Sequence, residues 1–122
     1  MNLHNRTFGS NGERLAESYL TDQGAVVLAR NYRIAYGEID LVLEHDGELV
    51  AVEVKTRAID DLEQPEEAFT WRQLRRIARA LATYAVDFEL LEMPWRIDAV
   101  AIQIDPDGSL RRLDHLRSVY PG

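Results

Sequence analysis

The sequence has no cysteine, only one lysine and no long apolar run, and each shortage excludes something. Without cysteine there are no disulfides, no thiolate zinc site and no cysteine nucleophile, a composition that suits a reducing compartment. No apolar run approaches the ~18 residues of a membrane-spanning helix, and Met1–Arg6 carries no apolar stretch of the kind that opens a signal peptide. A soluble cytoplasmic protein without membrane contact is the expectation. Repeats, low-complexity tracts and Pro/Gly/Ser-rich linkers are also missing, so residues 1–122 read as one domain, with 1–8 and 117–122 as loose termini. Walker, Rossmann and G-x-S-x-G patterns are absent, which leaves nucleotide-hydrolysing and serine-hydrolase readings unsupported.

What is present is charge. Asp and Glu number 21 against 14 Lys and Arg, a net of −7, and an acidic balance ordinarily weighs against nucleic acid as a partner. The positive residues are thirteen arginines and the single lysine, Lys55. The 46% hydrophobic fraction is enough for a core and excludes wholesale disorder.

The elements follow from periodicity and punctuation. Ser10 or Asn11 can cap a first helix, with Glu13 in its opening turn, an apolar face of Leu15, Ala16, Tyr19 and Leu20, and Gly24 as its stop. Residues 25–28, extending to Tyr32, predict a strand. Residues 38–44 and 49–56 predict two more, joined through Asp46-Gly47, a strong hairpin signal. After a polar loop over 58–64, Pro65-Glu66-Glu67 reads as the start of a helix running to about Ala85. Residues 95–104 predict a strand, and 110–116 a last edge strand. The order is α-β-β-β-α-β with an extra strand, and strand–helix–strand implies a right-handed parallel crossover.

The hairpin carries the chemistry. Centring the turn on Asp46-Gly47 pairs Leu43 with Val50, Leu41 with Val52 and Ile39 with Val54, one wholly aliphatic face. The other face pairs Val42 with Ala51, Asp40 with Glu53 and Glu38 with Lys55. Two carboxylates directly opposed cost ~0.2–1 kcal/mol, so something must offset them, and a divalent cation is the plainest candidate. Solvation of Asp40 and Glu53, with Lys55 paired to Glu38, would account for the same charges. Val42 and Ala51 continue that face as apolar, which argues that it is half covered.

On the second helix Arg72, Arg75, Arg76 and Arg79 fall at i, i+3, i+4 and i+7, a continuous stripe opposite Leu74, Ile77, Ala78, Leu81 and Ala85. Such a stripe is either a solvated face paired with acids such as Glu66 and Glu67, or a phosphate track. His4, His45 and His115 have no ligand spacing and read as loop or tail residues. Asp98, inside an apolar strand, reads as a structural partner for Arg96 or Arg57. Trp71 and Trp95 read as core or rim residues rather than base-stacking platforms.

Gly37-Glu38-Ile39-Asp40-Leu41-Val42 followed by Val52-Glu53-Val54-Lys55-Thr56-Arg57 resembles the signature of the YraN family of uncharacterised bacterial proteins. The likeness takes in Gly9 through Glu13, Ala16, Tyr19-Leu20, Arg30-Asn31-Tyr32-Arg33, Pro65, Glu67-Ala68, Arg96 and Asp98. That family is similar to Holliday-junction resolvases and other restriction-endonuclease-like PD-(D/E)xK nucleases. The resemblance implies an α/β domain with a mixed central sheet flanked by helices. It implies Asp40 and Glu53 as ligands of Mg2+ or Mn2+, helped by a backbone carbonyl near Val54. Lys55 would orient or deprotonate the attacking water, or stabilise charge on the phosphate. Glu13 matches a glutamate that approaches the metal in resolvase-like enzymes, and it reads equally as a helix N-terminal acid. Glu38 is a further catalytic candidate, and Arg57, Arg72, Arg75, Arg76 and Arg79 are candidates for nucleic-acid binding. The family's second helix usually carries a lysine near its start, where Arg72 or a neighbour stands here.

The expected function is a Mg2+- or Mn2+-dependent nuclease acting on structured or branched DNA. A non-catalytic nucleic-acid-binding adaptor of the same fold, or a nuclease acting on RNA, are the alternatives. A homodimer would suit two-strand cutting.

Overall fold

A computed structural model describes residues 3–58 and 69–120, with side chains from residue 11 onward. Helix α1 (Leu3–Asp22) is followed by strands β1 (Val26–Ile34), β2 (Gly37–His45) and β3 (Glu48–Ala58), helix α2 (Trp71–Asp87), and strands β4 (Trp95–Ile104) and β5 (Leu110–Leu116). The strands form one sheet in sequence order. All neighbours are antiparallel except β3 and β4, which run parallel on either side of the α2 connection. This is the mixed α/β architecture expected of a restriction-endonuclease-like fold.

Burial explains why the sheet is flanked on both faces. Leu41, Leu43, Val50, Val52 and Val54 pack with Ala16 and Leu20 of α1. Val42, Leu49, Ala51 and Ile97 pack with Leu74, Ile77 and Leu81 of α2. Each large aliphatic side chain so buried stabilises by roughly 1.5–3 kcal/mol. The β2–β3 turn has φ of 53° at Asp46 and 77° at Gly47. Two consecutive positive φ values mark the primed turn that Asp-Gly favours. The pairs His45–Glu48 through Leu41–Val52 follow the expected register.

Both helix starts differ from the sequence expectation. α1 begins at Leu3, so Ser10 and Asn11 are interior and Glu13 is no N-terminal acid. Gly12 stays helical there because the helix approaches β3 at that point: a Cβ on Gly12 would overlap the Thr56 side chain. α2 begins at Trp71, capped by Thr70, whose hydroxyl accepts from Gln73 N at 3.1 Å. The Pro65 start lies outside the described residues, but no helix runs through Phe69 and Thr70. The segment after β5 is fastened rather than loose. Ser118 N donates to Asp98 and Val119 N to the Ile97 carbonyl, and Tyr120 packs against Trp71.

Gly12→Ala should therefore destabilise the fold by about 1–3 kcal/mol, despite alanine's higher helix propensity. Thr56→Ala in the same chain should recover part of the loss. Denaturant titration of the three proteins is the measurement, and an unchanged midpoint for Gly12→Ala would mean that α1 does not sit this close to β3.

Candidate active site

The β2–β3 ladder ends at Leu41–Val52. Continued, it would have bonded Val54 N–H to the Ile39 carbonyl. Instead Val54 N donates to Asp40 Oδ2 at 2.8 Å. The Asp40 side chain thus lies in a fork between the two strands, and the expected Asp40–Glu53, Ile39–Val54 and Glu38–Lys55 backbone pairs do not form. The β1–β2 register shifts earlier, between Val27 and Ala29, and is constant from Arg30–Leu41 to Tyr32–Ile39, where Asn31 has a φ of 50°. On β2 the alternation slips at Asp40, and Ile39 joins the α2-side core rather than the face of Leu41 and Leu43.

From this fork Asp40 reaches cavities on both sides of the sheet. On the α2 side it lines a cleft of about 640 Å³ with Glu38, Glu53, Gln73 and Arg76. On the α1 side it lines a cavity of about 370 Å³ with Glu13, Arg30 and Asn31. Glu53 is only 8% exposed. Its Oε1 accepts from Gln73 Nε2 at 3.1 Å and lies 3.8 Å from Lys55 Nζ. The expected Lys55–Glu38 pair is replaced by this contact, and Glu38 lies 3.4 Å from Arg33 Nε.

Burial and mutual repulsion raise three of these acids. Burial, then Asp40, push Glu53 up to about 8, with Lys55 opposing. Burial pushes Asp40 up to about 6, while the Val54 N–H and Lys55 hold it down and Glu38 adds to the rise. Burial, then Asp40 and Glu38, push Glu13 up to about 7. A site with this much uncompensated negative charge favours protons or a cation.

Two of these acids are held in place by hydrogen bonds. Val54 N–H fixes one Asp40 oxygen and Gln73 fixes one of Glu53. Among the described residues no three acids or histidines converge closely enough to enclose a metal by themselves. A cation here would be held by Asp40 and Glu53 and complete its shell with backbone oxygen and water, as magnesium commonly does. Glu13, which shares Asp40 but not the Glu53 cleft, stays within electrostatic reach.

Gln73 was not anticipated. The signal for it was Thr70-x-x-Gln73, a capping-box spacing, obscured by the more obvious Pro65. From the same helix Arg72, Arg75, Arg76 and Arg79 project to the surface, and among the described residues none pairs with an acid. Arg76 borders the cleft because α2 comes close to β2: a Cβ on Gly37 would sit 2.8 Å from the Arg76 carbonyl oxygen. Arg57, near the end of β3, donates to the Thr56 carbonyl.

At the hairpin end of the sheet the buried charges are satisfied. Arg96 donates to Asp98 at 3.0 Å, to Glu48 at 2.8 Å and to His45 Nδ1 at 2.9 Å. Since the guanidinium can only donate, His45 carries its proton on Nε2, which donates to the Gln23 carbonyl. His115 Nε2 lies 2.8 Å from Asp98 Oδ2. His45 and His115 are therefore strand residues in a buried network rather than loop or tail residues, and Arg96 rather than Arg57 is paired with Asp98 here.

The raised acids set the sign of the pH dependence. Their protonated forms are favoured by folding, so the stability they supply is complete at low pH and is lost as pH rises through about 6 to 8. Metal-free protein should melt at lower temperature at pH 8.5 than at pH 6, and Glu53→Gln should flatten that slope. Parallel slopes for the two proteins would contradict the charge cluster.

The model of the uncharacterised protein family UPF0102 matches residues 12–102, a span that holds α1 from Gly12, the hairpin, α2 and most of β4. A UPF0102 protein of Symbiobacterium thermophilum is 42% identical over 87% of this chain and 90% of its own. Relatives in Rhodococcus jostii and Geobacter metallireducens are 38% and 34% identical over 96% and 98% of this chain, and 98% and 97% of theirs. With the family model matching most of the chain and these relatives aligned over still more of it, the chain belongs to the UPF0102 family.

Proposed function

We propose that this protein is a Mg2+- or Mn2+-dependent nuclease that hydrolyses phosphodiester bonds in structured or branched DNA. The observation that carries the reading is the placement of Asp40 in the strand fork beside the buried Glu53, with Lys55 at 3.8 Å. Buried acids gathered without full compensation cost stability, so the arrangement makes sense where function repays it.

Each residue has a distinct role. Val54 N–H fixes the Asp40 carboxylate and Gln73 fixes that of Glu53, so both are oriented before anything binds. A bound Mg2+ or Mn2+ would supply Lewis acidity toward a phosphate oxygen and a lower pKa for the attacking water. Lys55 places a positive charge beside the cleft, suited to orienting that water or to stabilising charge that develops on the phosphate. The arginine stripe on α2 leads to the cleft at Arg76 and offers a local positive track on an acidic protein. The phosphate ester would enter between these features.

Cleavage of labelled duplex, flap, junction and single-stranded DNA, and of RNA, with Mg2+ or Mn2+ is the test. Asp40→Asn and Glu53→Gln should abolish turnover while leaving binding largely intact, and Lys55→Ala should cost about a hundredfold or more. Gln73→Ala should cost about tenfold to a hundredfold, as orienting partners of metal ligands do. Binding without turnover on every substrate would favour the non-catalytic adaptor, and turnover confined to RNA would replace DNA as the substrate.

A further inference from the structure

Trp71 and Trp95 are the chain's only tryptophans, and neither is a core residue: they are 53% and 44% exposed. Tyr120, brought over by the fastened C-terminal segment, lies between them. Its ring centroid is 5.2 Å from Trp71 and 6.3 Å from Trp95, with interplanar angles of 34° and 32°. The two exposed indoles flank Tyr120, which is half-buried and packs on the α2-side core, and together the rings make a partly stacked aromatic patch. Tyr120 also lines a groove of about 430 Å³ with Arg72, Arg75, Arg76 and Arg79. Arg76 is the common wall of this groove and the carboxylate cleft.

We propose that Trp71, Tyr120 and Trp95, beside the α2 arginines, form a stacking platform that holds unpaired bases of a single-stranded DNA segment next to the carboxylate cleft. A groove of arginines tracks a phosphate backbone, and exposed aromatic rings accept base faces regardless of sequence. A duplex hides those faces and offers only edges and phosphates, so the rings select for single strand while the arginines do not. The inference rests on the nuclease reading for its substrate class: the platform would direct that activity to DNA with an unpaired stretch beside the scissile bond.

Since both tryptophans belong to the platform, their emission is a direct probe. Wild-type protein in chelator, titrated with oligo(dT), should show quenching that an equally long duplex does not match. By anisotropy of labelled DNA, Trp71→Ala and Tyr120→Ala should each weaken oligo(dT) binding roughly tenfold and leave duplex binding unchanged. Trp71→Phe should retain most of the affinity. Arg75→Ala with Arg79→Ala should instead weaken both DNAs alike and flatten the salt dependence by ~1 in slope for each phosphate no longer neutralised. Equal quenching by both DNAs, or equal weakening for both in the aromatic variants, would overturn the platform. No turnover enters these measurements, so the two ideas fail separately. Selective quenching in a protein that never cleaves would remove the nuclease alone, and cleavage without selective quenching would remove the platform alone.

Discussion

The hydrogen bond from Val54 N to Asp40 Oδ2, 2.8 Å long, marks the place where a regular hairpin becomes a site. Up to Leu41–Val52 the two strands satisfy each other's backbone. Beyond it a carboxylate takes the place of a ladder carbonyl, the strands part, and a charged group is held at the sheet's interior without being sealed off from the clefts on either side. The features around it depend on that fork. Glu53 is brought beside Asp40, Gln73 and Lys55 engage Glu53 from α2 and from its own strand, and Gly12 and Gly37 let both helices come close enough to line the cavities.

The sheet treats buried charge in two opposite ways. Near the hairpin, Arg96, Asp98, His45, His115 and Glu48 exchange close hydrogen bonds, and Asp98, fully buried, is held below the usual carboxylate range by His115, Ser118 N–H and Arg96 against the cost of burial. At the fork, like charges meet and the acids are pushed upward. A satisfied network stiffens a fold, while an unsatisfied one costs stability. The same sheet therefore carries a structural clamp and a candidate reactive cleft a few residues apart along β3: Arg96 and Asp98 stand opposite Val50 and Val52, and the fork opens at Val54.

Much of the fold was legible because local signals agreed with one another. The Asp-Gly turn, the uninterrupted aliphatic face and the 3.6-residue period of α2 each pointed to the observed elements. Asp40, Glu53 and Lys55 could be picked out because like charges opposed on one face need an explanation. What failed was extrapolation. A strict two-residue alternation placed Ile39 with Leu41, and the Asp40 side chain inserted into the β2–β3 ladder undid it. The cap candidates Ser10 and Asn11 placed the start of α1 too late, since the helix begins at Leu3 and runs through Gly12 against Thr56. The Gln73–Glu53 contact, the histidine contacts and the cluster of Trp71, Tyr120 and Trp95 are tertiary facts. No spacing brings Tyr120 to Trp71 or His115 to Asp98.

Direct titration of the wild-type chain with Mn2+ by calorimetry, in buffers of different ionisation enthalpy, tests the central claim: that the fork gathers acids for a cation. One ion should bind per chain, with proton release greater at pH 6.5 than at pH 9 because Glu53 is pushed up to about 8 and must give up its proton. Asp40→Asn should bind none under the same conditions. Binding that is equal in the two proteins, or absent from the wild type, would contradict the account.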